Sequence, residues 1–169
     1  LTNIFNKIKP DVVVVLADRF ENLPVAICAS YMNIPLAHIQ GGETTGSIDE
    51  KVRHSITKLS DIHFAATKRS KEFLIKMGEN KSNVYLTGCP SIDIALKSKS
   101  KLPKNFFLKN KGVGNFPNFK EKYIVVLQHP ETTKFSNTYN QIRETIDAIV
   151  KIKKIKVVCL WPNIDAGSD

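Results

Sequence analysis

The sequence lacks most of the features that would place it in a special class. It holds only three cysteines, Cys28, Cys89 and Cys159. They are widely separated, odd in number and without a CxxC pair or zinc-ligand spacing. This excludes a disulfide scaffold or a zinc ribbon and reads as free, buried thiols in a reducing compartment. No apolar run approaches the roughly 20 residues that span a bilayer. No secretory leader stands at the start. Both absences read as a soluble, cytoplasmic chain with no membrane partner. No repeat of fixed period occurs. Net charge is +9, but basic and aromatic residues do not interleave as they would on a base-stacking surface. The lysines crowd at 97–111, 120–122 and 151–156, where linkers and helix ends are expected. They read as a solubilising surface, and nucleic acid is not expected as a partner. An initiating methionine is also missing, and the last strand signal has nothing to close its unit. The chain is therefore expected to be a fragment, incomplete at both ends.

What is present is an alternation of strand and helix signals. At 42% hydrophobic and 24% charged residues over 169 positions, the chain has the composition of a folded α/β protein. Four consecutive valines within 11–17 predict a strand buried on both faces. A helix over 22–32 follows, with Asn22 as its cap and Pro24 in its first turn. Strands are expected at 35–39, 62–66 and 84–87, and helices at 48–59, 67–77 and 91–97. That order implies βαβ units and a parallel sheet covered on both sides. Residues 98–122 change in composition and read as a linker between a first unit, 1–97, and a truncated second unit, 123–169. The rhythm resumes there with strands at 123–128 and 155–161 flanking a helix at 139–150.

One stretch organises the rest. His38-Ile39-Gln40-Gly41-Gly42-Glu43 closes a strand, and Ser47-Ile48-Asp49-Glu50 opens a helix. Ser47 and Glu50 have capping-box spacing. Ile48, Val52, Ile56 and Leu59 share a helical face. Glycines at 41 and 42 let backbone approach a ligand. They equally suit a turn that binds nothing.

Ligands bind open parallel sheets beyond the carboxyl ends of the strands. That rule selects Asp18 and Arg19, then Gln40, Gly41, Gly42 and Glu43, then His129, then Asn163 and Asp165. Each has a plain alternative. Asp18 could pair with Arg19 or cap a helix. Asp49 complements the helix dipole, and Arg53 pairs with it four residues on by default. His38, inside an apolar strand, reads as a satisfied core histidine. His129 could be a loop histidine. Asn163 and Asp165 could be turn formers.

Taken together, these segments resemble the hydrolysing UDP-N-acetylglucosamine 2-epimerases, most of all their sialic-acid branch. The resemblance rests on Asp18-Arg19, on residues 38–43, on Gly46-Ser47-Ile48-Asp49-Glu50 with Arg53-His54-Ser55-Ile56-Thr57-Lys58-Leu59, on Gly88-Cys89-Pro90-Ser91, on Gln128-His129-Pro130 and on residues 162–168. It covers nearly the whole chain, in the expected order. It implies two Rossmann-like units in a GT-B arrangement with substrate in the cleft between them. It implies loss of UDP from UDP-N-acetylglucosamine with inversion at C2, through a 2-acetamidoglucal, without metal or cofactor. Asp18 and Asp49 match acidic catalytic positions of the family, and His129 matches its diphosphate partner, with Arg19 a second candidate. Gln40 departs from the pattern, since it stands where the family usually has glutamate. An amide cannot act as a base, so Glu43 becomes the candidate for the missing carboxylate. Some bacterial relatives vary here and take UDP-diacetylbacillosamine, and a GT-B glycosyltransferase is the alternative from another class. Gln40, Gly41, Gly42, Asn163 and Asp165 complete the expected substrate contacts. The resemblance implies a homo-oligomer at full length and an inactive isolated 169-residue piece.

Overall fold

The computed structural model describes residues 1–98, 106–109, 112–115, 119–153, 155–163 and 168. The chain divides into two compact units, Leu1–Ser98 and Lys99–Asp169.

The first unit runs α1 (Thr2–Ile8), β1 (Val13–Leu16), α2 (Asn22–Tyr31), β2 (Leu36–Ile39), α3 (Ile48–Leu59), β3 (Ile62–Ala65), α4 (Lys68–Lys76), β4 (Val84–Leu86) and α5 (Pro90–Lys97). Its four strands are parallel and lie in the order β1-β2-β3-β4. Val15 stands beside His38, and His38 beside His63. Strands adjacent in sequence and in the sheet, joined by right-handed crossovers, put their helices on one face. The packing agrees. Val13, Val15 and Leu36 are buried with Ala26 and Ala29 of α2 and Ile56 of α3. Ala65 and Val84 are buried with Leu74 of α4.

Two expectations are corrected by this order. Among the described residues, helices cover one face of the sheet, and β1 is buried on that face alone. Val13 and Val15 are buried, but Val14 and Leu16, on the opposite face, are about half exposed at 57% and 49%. Phe64 and Tyr85 lie on that same open face, in ring contact. The valine run supplied side chains for two covered faces, and among the described residues only one has helices. Ile48 is likewise exposed, while Val52, Ile56 and Leu59 pack as expected. The thiols are free but not deeply buried: Cys28 and Cys89 are half-buried and Cys159 is exposed.

The second unit holds α6 (Phe106–Lys109), β5 (Tyr123–Val126), α7 (Thr138–Val150) and β6 (Lys156–Cys159). The short α6 falls inside the stretch expected to be linker. Strands β5 and β6 form a parallel pair. None of the described residues of this unit is fully buried. No helix among the described residues is long and apolar enough to cross a membrane.

Candidate active site

The carboxyl ends of β1 and β2 are fixed from beneath by a buried imidazole. His38 is fully buried. Its Nε2 is 2.8 Å from the Ala17 carbonyl, and its Nδ1 is 3.1 Å from Thr57 Oγ1 on α3. A carbonyl can only accept, so Nε2 carries the proton and Nδ1 accepts from the threonine hydroxyl. Burial pushes the His38 pKa down to about 4. His38 is thus a satisfied core histidine, and its work is mechanical. It grips Ala17, whose backbone is left-handed at φ 55°, directly before Asp18. A positive φ at a residue with a Cβ is strained, and the imidazole is one of the contacts that holds it.

Asp18 is half-buried and forms an ion pair with Arg53 Nη2. Arg53 rises from α3, and its side chain is only 4% exposed. Its Nη1 donates to the Glu43 carbonyl at 2.6 Å. One buried guanidinium therefore ties the end of β1 to the loop after β2. Arg53 was expected to pair with Asp49 along the helix, and that expectation is corrected. The signal was available: Arg53 sits three residues before Ile56, on the side of α3 that turns inward. A buried guanidinium needs a fixed anion, and Asp18 is the anion within reach.

Arg19 does not join this group through Asp18. Its guanidinium bonds Glu21 at 2.7 and 3.1 Å. Asn22 is not the cap of α2. Glu21 occupies that position, and Asn22 Nδ2 donates instead to the Leu16 carbonyl at 2.6 Å.

Gln40 has left-handed backbone at φ 62°, and its side-chain Nε2 donates to Cys89 Sγ at 3.0 Å. Gly41 and Gly42 are both buried. A Cβ on Gly41 would lie 2.9 Å from His38 Nδ1, and one on Gly42 would lie 2.4 Å from the Ser70 carbonyl oxygen. Neither position has room for a side chain, since His38 and α4 fill the space that a Cβ would need. Gly42 and Glu43 line an open cleft with Thr44, Thr45, Thr67 and Arg69.

The start of α3 departs from a simple capping box. Ser47 Oγ accepts from Asp49 N at 3.2 Å, one residue earlier than expected. The Glu50 carboxylate takes the amides of Thr45 and Gly46, both at 2.6 Å, and not that of Ser47. Those two amides hold its pKa below the ordinary carboxylate range. Glu50 thus fastens the loop. Asp49 is exposed, and Ser47 Oγ donates to its Oδ2 at 3.0 Å.

In the second unit His129 follows β5. Its Nδ1 accepts the Asn163 backbone amide at 3.1 Å, which joins the segments after β5 and β6. An imidazole accepting at Nδ1 carries its proton on Nε2. His129 lines a cleft of about 480 Å³ with Gln128, Tyr139, Ile142 and Pro162. Asp165 lies outside the described residues.

The structure therefore assembles Asp18, Arg53 and the Glu43 backbone in one unit, and His129 and Asn163 in the other. Beyond the carboxyl ends of the strands is where open parallel α/β sheets bind ligands. The chain belongs to the UDP-N-acetylglucosamine 2-epimerase family, whose model matches residues 1–169. It is 37% identical over 166 residues to the UDP-N,N'-diacetylbacillosamine 2-epimerase (hydrolyzing) of Legionella pneumophila, covering 98% of this chain and 42% of that relative. It is 39% identical over 161 residues to polysialic acid biosynthesis protein P7 of Escherichia coli, covering 94% and 40%. The chain thus spans less than half the length of these relatives. Its fold is that of the UDP-GlcNAc 2-epimerase of Neisseria meningitidis, solved bound to UDP-GlcNAc, at a TM-score of 0.78 with 22% identity over 99% of this chain and 46% of that one.

Proposed function

We propose that the full-length protein is a hydrolysing 2-epimerase that converts UDP-N-acetylglucosamine and water to UDP and N-acetylmannosamine, in the supply of sialic acid. The observation that carries this reading is the Asp18–Arg53 pair, a fixed carboxylate at a strand end beside a loop bearing further carboxylates. The C2 proton of the sugar is a poor acid, since no carbonyl is attached to C2. The C1–O bond therefore breaks early, and UDP leaves with the bonding pair. Fixed negative charge stabilises the cation that develops at C1. A carboxylate then removes the C2 proton to give the 2-acetamidoglucal. Water adds its oxygen at C1, and a proton returns to the opposite face of C2.

Roles follow from the contacts. One oxygen of Asp18 is committed to a buried guanidinium, which suits it to act as fixed charge. Asp49 is exposed and accepts from one hydroxyl, which suits it to carry the proton. Glu43 stands beside the open cleft as a second carboxylate. In this reading the Nε2–H of His129 serves the diphosphate, with Arg19, Gln40, Gly41, Gly42, Asn163 and Asp165 as further substrate contacts. In the same reading the protein assembles as a homo-oligomer, and it works in the cytoplasm.

A second reading has a specific support: the Legionella relative, and one from Campylobacter jejuni at 33% identity, are named for diacetylbacillosamine substrates. Incubating the full-length protein in deuterated water with each UDP-sugar in turn separates the readings. Free UDP and deuterium at C2 from UDP-N-acetylglucosamine is the expected result. Turnover of UDP-diacetylbacillosamine alone would move the substrate to the second reading. Intact UDP-sugar in both incubations would leave a transferase that needs an acceptor.

A further inference from the structure

Gln40 and Cys89 are 49 positions apart, yet they meet beyond the carboxyl ends of the strands. Gln40 is fixed by its backbone, with its N–H donating to the Phe64 carbonyl at 2.9 Å. Cys89 is the N-cap residue of α5, but its side chain makes no capping bond there. Its sulfur instead accepts the Gln40 amide N–H at 3.0 Å. Strand β3 lies between the strands that carry the two residues, so the Gln40 side chain reaches across its end. Among the described residues, the Gln40 carbonyl oxygen takes no hydrogen bond.

A primary amide has unlike poles, with donors on the nitrogen and an acceptor on the oxygen. A carboxylate presents an acceptor whichever way it turns. Glutamate at position 40 would need nothing to orient it, whereas glutamine there can offer either pole until something holds it.

We propose that Cys89 is a positioning residue that commits the nitrogen of Gln40, so that its carbonyl oxygen is the pole offered to a donor group of the substrate at the carboxyl end of β2. This rests on the proposed epimerase reading. Cys89 touches no reacting atom in it. A misdirected amide would put a donor where an acceptor is needed, leaving a buried donor on the substrate unpaired.

The test uses the full-length protein with Cys89→Ala, Cys89→Ser, Gln40→Glu and the Gln40→Glu/Cys89→Ala pair. The wild type and the single cysteine variants are also labelled with ¹⁵N-glutamine. The Gln40 side-chain NH₂ resonances are identified by their loss in Gln40→Glu. They are expected to move in Cys89→Ala and to stay close to wild type in Cys89→Ser, whose hydroxyl can accept the same bond. Turnover is expected to fall about 10-fold or more in Cys89→Ala, as for misplacement of a site group. It is expected to recover in Cys89→Ser and to be indifferent to Cys89→Ala once position 40 is glutamate. Unmoved resonances in Cys89→Ala overturn the contact, whether or not the protein turns over a UDP-sugar. Moved resonances with unchanged turnover overturn the positioning role. A wild type inert toward every UDP-sugar, with the resonances behaving as expected, overturns the reaction and with it the substrate-directed role, while the contact itself stands.

Discussion

The two units hold their strand-end residues in different ways. In the first, the functional groups rest on buried polar contacts. His38 grips Ala17, and Arg53 spans Asp18 and the Glu43 carbonyl. In the second, no described residue is fully buried, and His129 is oriented by one backbone amide. The difference teaches where geometry is stored. For Asp18 in the first unit, position and stability are coupled, because Arg53, which holds it, is itself buried in the core, whereas the exposed Asp49 stands outside that coupling. In the second, a functional group can be altered with little effect on folding.

Four perturbations would break or sharpen that contrast. The largest effect is expected from Asp18→Ala. It strands a guanidinium that is almost fully buried, at a cost of about 3–5 kcal/mol, so denaturant unfolding should show a large loss together with lost turnover. A stable, inactive Asp18→Ala would uncouple the two properties and end the comparison. Acid comes next. The His38 pKa is held down at about 4 by burial, against 6.5 for a free imidazole. Between those values the unfolded chain takes up a proton that the folded chain refuses. The contribution is complete above pH 6.5 and is lost as pH falls toward 4, by on the order of 3 kcal/mol. His63, also pushed down by burial, adds in the same direction. Urea titrations across this range should show the loss, and His38→Gln should flatten it. An unchanged slope in that variant would assign the acid sensitivity elsewhere.

In the second unit, His129→Ala should lower turnover by about 100-fold, as for loss of a positioned proton donor, with an unfolding midpoint close to that of the parent. Unchanged kinetics would make His129 an ordinary loop residue. The smallest effect is expected from Ser47→Ala, which removes the cap of α3 and costs about 1 kcal/mol. It also frees Asp49, so kcat should fall more than KM rises. A change in stability alone would leave Ser47 a cap and nothing more.

Much of this arrangement was legible in the sequence. Apolar periodicity located the strands, and α3 begins and ends where the pattern of Ile48 to Leu59 placed it. The strand-end rule selected Asp18, Gln40, Glu43 and His129 before any family resemblance was invoked. Arg53 and Cys89 escaped, because each works through a partner far along the chain. Helical spacing favours a local partner for Arg53, and only the sheet order brings Asp18 to it. The open face of the sheet was illegible for a related reason: a run of valines reports apolar character, not which neighbours cover it. The glycine pair was legible as a place of close approach, but sequence could not say whether ligand or protein approaches.

Asp49→Asn in the full-length protein, assayed for deuterium entry at C2 of the sugar in deuterated water beside its thermal unfolding, tests the account most directly. The carboxylate is exposed, and its dipole contribution is only about 0.3–1 kcal/mol. The account predicts loss of C2 exchange by orders of magnitude with a nearly unchanged melting temperature. Full exchange with melting several degrees lower would make Asp49 a structural helix-end charge and would contradict the assignment of the proton carrier.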